Sequence, residues 1–428
     1  MDNPTTTSVW RNLFQISRTN IFSVVFLLTG IAMLWLTPAQ VGGDVSSVLR
    51  FPNESGAGFD ITVPTVAYAI IVGVIYTASG AFGLLPLGED RQRFQNWALI
   101  FSGVLIIPTV LVLAAAGKST NMVSMLAASF RLATPIVIGA MAGIWCERSG
   151  VVNIAIEGMM LTAACFGIVA YTFIAVNTPG AAGQWIGVGV AMIAGGLMAL
   201  LHAWLSITFK TDQIISGTVI NILALGITAF ARNELLLNAD ASVPTFSEVA
   251  IPVLSDLPIL GEVFFTGKPI FFAMFAIVIG THVMLFYTRW GLRTRAVGEN
   301  PHAADTLGIN VQRNRYINVV IGGLIAGLAG AWFSIETAGV FRENMTSGTG
   351  FIALAAMIFG KWTPFGAAAG GLLFGFSQAL DTRFQLLEVA VPVQFIQMTP
   401  YIVTIIVLAG LVGRAIPPKA VGQPYQKE

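Results

Sequence analysis

Twelve apolar segments run through this chain, and nearly all are long enough to cross a lipid bilayer. A helix rises about 1.5 Å per residue, so about 20 apolar residues cover the ~30 Å hydrocarbon core. The segments are Ile21–Thr37, Val63–Leu85, Trp97–Ala116, Met125–Trp145, Glu157–Val176, Ile186–Phe209, Ile214–Ala231, Ile270–Tyr287, Ile317–Ile335, Phe351–Gly360, Phe365–Leu380 and Phe395–Val412. Phe351–Gly360 holds ten residues, too few for a straight crossing. It is expected as half of a broken helix or as a re-entrant element, which a membrane tolerates where protein or a cavity surrounds it.

Composition points the same way. Charged residues make up 10% of the 428, where a soluble domain carries about 25%. The expected fold class is therefore all-α, a polytopic membrane bundle of roughly 10–12 spans, some short or broken. Lys and Arg number 22 against 21 acids, a net charge of +1, which excludes nucleic-acid binding through a basic field. Only Cys146 and Cys165 occur, so a disulfide framework and a cysteine zinc site are excluded. No small-residue cleavage site follows the first apolar run, which reads as a retained span rather than a signal peptide.

The basic residues fix an orientation. With twelve crossings and a cytoplasmic N-terminus, fifteen fall inside: Arg11, Arg18, Arg91, Arg93, Arg148, Lys210, Arg289, Arg293, Arg295, Arg313, Arg315, Lys361, Arg414, Lys419 and Lys427. Six fall outside: Arg50, Lys118, Arg232, Lys268, Arg342 and Arg383. This is the bias of the positive-inside rule, and it puts both termini in the cytoplasm. Arg131 lies within a span, where it snorkels or pairs with a carboxylate. The chain divides into an N-terminal extension, 1–120, with about three apolar spans, a core, 121–412, and a cytoplasmic tail, 413–428.

No engine is evident in the chain. Gly117-Lys118-Ser119-Thr120 imitates the end of a phosphate-binding loop, but Val112 stands where the first glycine belongs. His202, His282 and His302 lie on separate segments at no metal-ligand spacing. No large soluble domain is present, so energy must come from an ion gradient or another polypeptide.

The loop Thr288–Tyr316, predicted cytoplasmic, carries five arginines against two acids. Within it Asn300 is a good N-cap, Pro301 suits the first helical position, and Gly308 can end the helix in a left-handed turn. The result is a helix of about two turns whose small apolar face is Ala303, Ala304 and Leu307, flanked by His302 and Asp305. Such a knob either tidies a loop or plugs into a groove on a partner.

Ala303-Ala304-x-x-x-Gly308 resembles the short motif that permease subunits of ATP-binding-cassette importers dock into their ATPases, with His302 where many such motifs carry Glu. The stretch from Glu147 to Met160 (ERSGVVNIAIEGMM), Gln213–Asn221, Arg295–Pro301 and Ser347–Ala355 are similar to segments of the simple-sugar and nucleoside branch of the branched-chain amino acid/ribose permease superfamily. The resemblance covers roughly residues 125 to 412. It implies a bacterial inner-membrane import complex with no cofactor in this chain. ATP and Mg would sit on a separate ATPase. A second, non-identical permease and an external substrate-binding protein or lipoprotein complete the expected partners, and the ATPase-coupling residues would be Asn300, Pro301, His302, Ala303, Ala304, Asp305, Leu307 and Gly308.

The polar residues within apolar helices remain ambiguous. Asn153, Glu157 and Asn221 can serve as interhelical glue or helix caps, or as acceptors for a hydroxyl-rich ligand. Ser149-Gly150, Ser216-Gly217 and Ser347-Gly348 each precede a glycine-punctuated apolar stretch, an outline shared by chance or by repeats with broken helices. On the second reading Ser216, Ser347 and Thr349 join the translocation path. An ion-coupled secondary transporter and a branched-chain amino acid permease stand as the alternatives, the first lacking more than Glu157 for a proton or ion relay.

Overall fold

The computed structural model describes residues 18–52, 58–85, 89–178, 181–237, 239, 242–389, 394, 398 and 415–427. In chain order the helices are α1 (Arg18–Gln40), α2 (Thr65–Leu84), α3 (Glu89–Ala114), α4 (Met122–Glu147), α5 (Ile156–Ala170), α6 (Ala182–Ala203) and α7 (Gln213–Ala231). They continue as α8 (Pro269–Tyr287), α9 (Arg289–Glu299), α10 (Pro301–Thr306), α11 (Val311–Ala331), α12 (Thr349–Phe359) and α13 (Pro364–Leu386). The ends of α5, α6, α7 and α11 run on as wider π-helical turns. The strands are β1 (Ser46–Pro52), β2 (Gly58–Pro64), β3 (Ser119–Asn121), β4 (Val249–Ala250) and β5 (Thr266–Gly267).

Among the described residues nine helices are long and apolar enough to cross a membrane, and the first nine predicted segments each fall in one of them. Phe351–Gly360 corresponds to α12, eleven residues and too short to cross, as its length required. Phe365–Leu380 lies in the 23-residue α13, less apolar than the nine because its last turns carry Gln378, Asp381 and Arg383. Phe395–Val412 lies almost wholly outside the described residues.

Local chemistry sets several helix starts. Asp212 accepts from the Ile214 and Ile215 amides at 2.8 and 3.0 Å and so caps α7. Asn310 accepts from Arg313 N at 2.9 Å and caps α11, and Pro269 supplies a first-turn residue that needs no amide partner.

Two compact units result. The first holds the described residues up to Met125 together with Asp381–Met398. In it α1 and α2 meet backbone to backbone, since a Cβ added at Gly80 would come within 2.5 Å of Leu27 N and Ser23 O. A three-stranded sheet, antiparallel between β1 and β2 and parallel between β1 and β3, joins these helices. The sequence reading held no strand there.

The second unit holds Leu126–Leu380 and the described tail, 415–427. Its buried core is built on α4, α5, α6 and α11. A Cβ at Gly195 of α6 would stand 2.5 Å from Gly323 O of α11. Gly139 and Gly143, Gly366 and Gly370, and Gly371 and Gly375 likewise face neighbouring elements of this same chain. Arg131 pairs with Glu248 at 3.4 Å.

Glu147 and Arg148 both hold Trp362: Glu147 Oε2 accepts from Trp362 Nε1 at 2.6 Å, and Arg148 Nε donates to the Trp362 carbonyl at 2.9 Å. Trp362 and Trp332 are buried, and Trp290 donates to Asn318 at 3.2 Å, so these rings are packed or bonded inside the chain rather than simply floating at the membrane interface.

Candidate functional site

α4 ends at Glu147, yet α5 begins only at Ile156, and Ile156 packs on Gly139 and Gly143 of α4. The stretch between, residues 148–155, has turned back along α4 without forming helix. α12 lies beside α4 in the same direction, with Ala353 against Gly139, Met357 against Gly143 and Trp362 against Glu147. By that register the start of α12 stands roughly 18 Å from the Glu147 end, near the middle of the 26-residue α4. α5 runs from its start toward one end of α4 and α12 toward the other. α12, with eleven residues, is half a crossing preceded by an irregular stretch. Its N-terminus meets that of α5, which with its π-helical end is long enough to cross.

Glu157 joins the two. It lies in the first turn of α5, and its carboxylate reaches across to the start of α12. Oε1 accepts from the Thr346 hydroxyl and from Gly348 N, both at 2.7 Å, and Oε2 accepts from Gly350 N at 2.6 Å. One negative charge thus serves two helix N-termini, each carrying about half a positive charge. The turn that aims these amides needs Gly348 at φ +82°, a region closed to most side chains.

The unwound stretch before α5 is gripped from several helices. Asn221 on α7 accepts from Gly158 N at 2.8 Å and donates to the Ile154 carbonyl at 3.0 Å. Gln213 accepts from Val152 N at 2.7 Å. His202 Nε2 donates to the Val152 carbonyl at 2.8 Å, which leaves Nδ1 to accept from the Ser216 hydroxyl at 3.1 Å. Arg315 donates to the Ser149 carbonyl at 3.2 Å. Asn153 is fully buried, its amide nitrogen near the sulfurs of Cys146 and Met159 at 3.2 and 3.7 Å, and its Oδ1 has no partner.

All six residues selected for the path therefore gather at one place. Asn153 belongs to the stretch itself, Glu157 to the first turn of α5, Asn221 holds the stretch directly and Ser216 through His202, and Ser347 and Thr349 flank the amides that Glu157 accepts from. Ser347 is exposed and Thr349 is buried. Of the three Ser-Gly segments, Ser149-Gly150 and Ser347-Gly348 do precede helix starts, those of α5 and the short α12, whereas Ser216-Gly217 lies inside the continuous α7. Thr346, Gln213 and His202 also belong to this cluster, and nothing in the spacing of His202 marks it as a backbone clamp.

The second candidate site is the basic loop. Asn300 caps α10, accepting from Ala303 N at 3.1 Å, Pro301 opens it, and Gly308 follows its end at φ +79°. The helix has six residues. Its apolar face is not as expected: Ala304 is buried against Val297, Val311 and Tyr425, while Ala303 and Leu307 face outward. Leu307, between Thr306 and Gly308, is 81% exposed. His302 lies tilted against Tyr425, ring centroids 5.3 Å apart, and Asp305 lies at the helix end beside Gly308, whose amide donates to its carbonyl. α9 and α11 are riveted by Thr294, Asn314 and Asn318, with Asn318 donating to Thr294 at 3.1 Å and to the Asn314 carbonyl at 2.7 Å.

Among the described residues no cluster of His, Cys, Asp and Glu could hold a metal. Residues 125–416 match the family described as the permease component of the branched-chain amino acid transport system. The chain is 44% identical over 301 residues to the guanosine ABC transporter permease protein NupQ of Bacillus subtilis, covering 69% of this chain and 94% of that one. It is 38% identical over 299 residues to the nucleoside ABC transporter permease protein NupC of Lactococcus lactis, covering 69% and 94%. A putative glucose ABC transporter permease protein of Haloferax volcanii, TsgC13, is 33% identical over 331 residues, covering 71% and 98%. No solved structure matches the chain. With nine helices among the described residues long and apolar enough to cross a membrane and two-thirds of its length inside the match, the chain belongs to this family of ABC-transporter permeases, multi-pass membrane components of transport systems.

Proposed function

We propose that this chain is the permease subunit of an ATP-driven importer that carries nucleosides or simple sugars across a bacterial inner membrane. Both termini lie in the cytoplasm, in keeping with the distribution of basic residues. ATP and Mg belong to a separate ATPase that docks on the helix Pro301–Thr306 through Ala303 and the outward Leu307, with Asn300 and Gly308 fixing the helix ends. A second permease subunit completes the path, and an external binding protein or lipoprotein delivers the solute. Nucleotide turnover rocks the spans between outward and inward states.

The observation that carries the choice of solute is the Glu157 carboxylate seated between the N-termini of α5 and the half-helix α12. In transporters of zwitterions such N-termini receive the carboxylate of the substrate. Here the protein supplies its own, and a second carboxylate would meet like charge. A neutral, hydroxyl-rich solute meets no such penalty, and the guanosine, nucleoside and glucose permeases among the relatives agree with that selection.

The test is a ligand panel on the assembled complex. ATP hydrolysis should rise with a nucleoside or a sugar and stay at its basal rate with leucine. Stimulation by leucine alone would overturn the reading.

A further inference from the structure

The tail is polar, yet Pro418, Ala420 and Tyr425 are buried in the core unit. Ala420 and Tyr425 have almost no exposure, and the Ala420 amide donates to the Gly298 carbonyl at 2.9 Å. Tyr425 fills a small apolar pocket with Val297, Ala304 and Val311, directly behind the helix Pro301–Thr306. The same tail also reaches the unwound stretch before α5. Arg315, 1% exposed, donates through Nη1 to the Gln423 carbonyl at 3.0 Å and through Nε to the Ser149 carbonyl at 3.2 Å. A Cβ added at Gly150 would lie 3.3 Å from the Ala420 carbonyl, so tail and stretch are in direct contact.

A buried guanidinium is costly to hold without partners. Among the described residues Arg315 makes no ion pair, and it is held by carbonyls from these two segments. Its position therefore depends on the tail being in place. We infer that Pro417–Tyr425 is a latch that makes the docking helix, the start of α11 and the unwound stretch move as one body, with Tyr425 and Arg315 as its positioning residues. This rests on the importer reading above. In that mechanism a push on Leu307 reaches Glu157 only if α10 cannot slide over the pocket that Tyr425 fills.

The experiment uses the assembled transporter carrying Tyr425→Ala, Tyr425→Phe, or a stop at Pro418. Solute-stimulated uptake should fall roughly tenfold in Tyr425→Ala and in the truncated chain, the scale of energetic coupling carried by packed contacts. Basal ATP hydrolysis should stay within about twofold, and Tyr425→Phe, which keeps the ring, should restore uptake. Hydrogen exchange on the purified full-length chain gives a readout independent of transport. Tyr425→Ala should raise exchange both at Val297–Leu307 and at Gly150–Ala155. Wild-type uptake without any ATP dependence would overturn the importer reading. Wild-type ATP-dependent uptake with a truncated chain equally active, or exchange unchanged at Gly150–Ala155, would overturn the latch alone.

Discussion

Glu157 and Gly350, 193 residues apart in the chain, meet at 2.6 Å where α5 and the half-helix α12 begin. The contact fixes the depth at which α5 and α12 start. Burying a carboxylate there is tolerated because three donors converge on it. Glu157→Gln keeps the shape but turns an NH₂ group toward an N–H donor. It should lower stability by roughly 2–4 kcal/mol, the scale of hydrogen bonds to a buried charged group. Thermal unfolding in detergent reads this directly, and an unchanged midpoint would mean that the cap is dispensable.

Asn221 tests the clamp separately. Asn221→Ala removes one donor and one acceptor and leaves Gly158 N and the Ile154 carbonyl unpaired, at a cost of about 1–3 kcal/mol. Asn221→Asp retains the acceptor for Gly158 but turns a carboxylate oxygen toward the Ile154 carbonyl in a buried site, and should cost at least as much. A loss in Asn221→Asp well below that of Asn221→Ala, measured by the same unfolding assay, would contradict the assigned bonds.

Close helix approach between α6 and α11 is a third point of test. A Cβ at Gly323 would clash with the Ala199 side chain and stand 2.7 Å from Gly195 O, whereas one at Gly226 of α7 meets nothing within 4 Å. Gly323→Ala should destabilise by about 1–3 kcal/mol through overpacking. Gly226→Ala should leave the midpoint in place, and a comparable loss there would remove the packing explanation.

Much of this architecture was legible in the residues. Span lengths located nine helices, and the shortness of Phe351–Gly360 foretold α12. The gap before α5 was legible too, since the segments stop at Trp145 and resume at Glu157. That this stretch turns back along α4 and is clamped by α7 was hidden, because Val151, Val152, Ile154 and Ala155 are as apolar as the helix they precede. Apolarity reports burial, not helicity. The inward turn of Ala304 was equally invisible, since six residues are too few for periodicity to distinguish a buried face from a presented one. Nor did the polar tail announce Tyr425 as a core residue; its pocket is assembled from segments more than 100 residues away in sequence. The site residues emerged because amides and carboxylates inside apolar runs must be partnered. Their partners are backbone groups, which sequence patterns do not advertise.

Leu307 offers the most direct measurement of the central claim, that an external ATPase drives this chain through α10. Its exposure means that Leu307→Asp should leave folding and expression intact, unlike a charge at the buried Ala304. The measurement is uptake of a radiolabelled nucleoside into proteoliposomes holding the complete complex, with ATP inside or outside and with or without an ion gradient. Wild-type uptake should require ATP on the α10 side, ignore the gradient, and fall at least about tenfold in Leu307→Asp. Gradient-driven uptake without ATP, or full ATP-driven uptake in Leu307→Asp, would contradict the account.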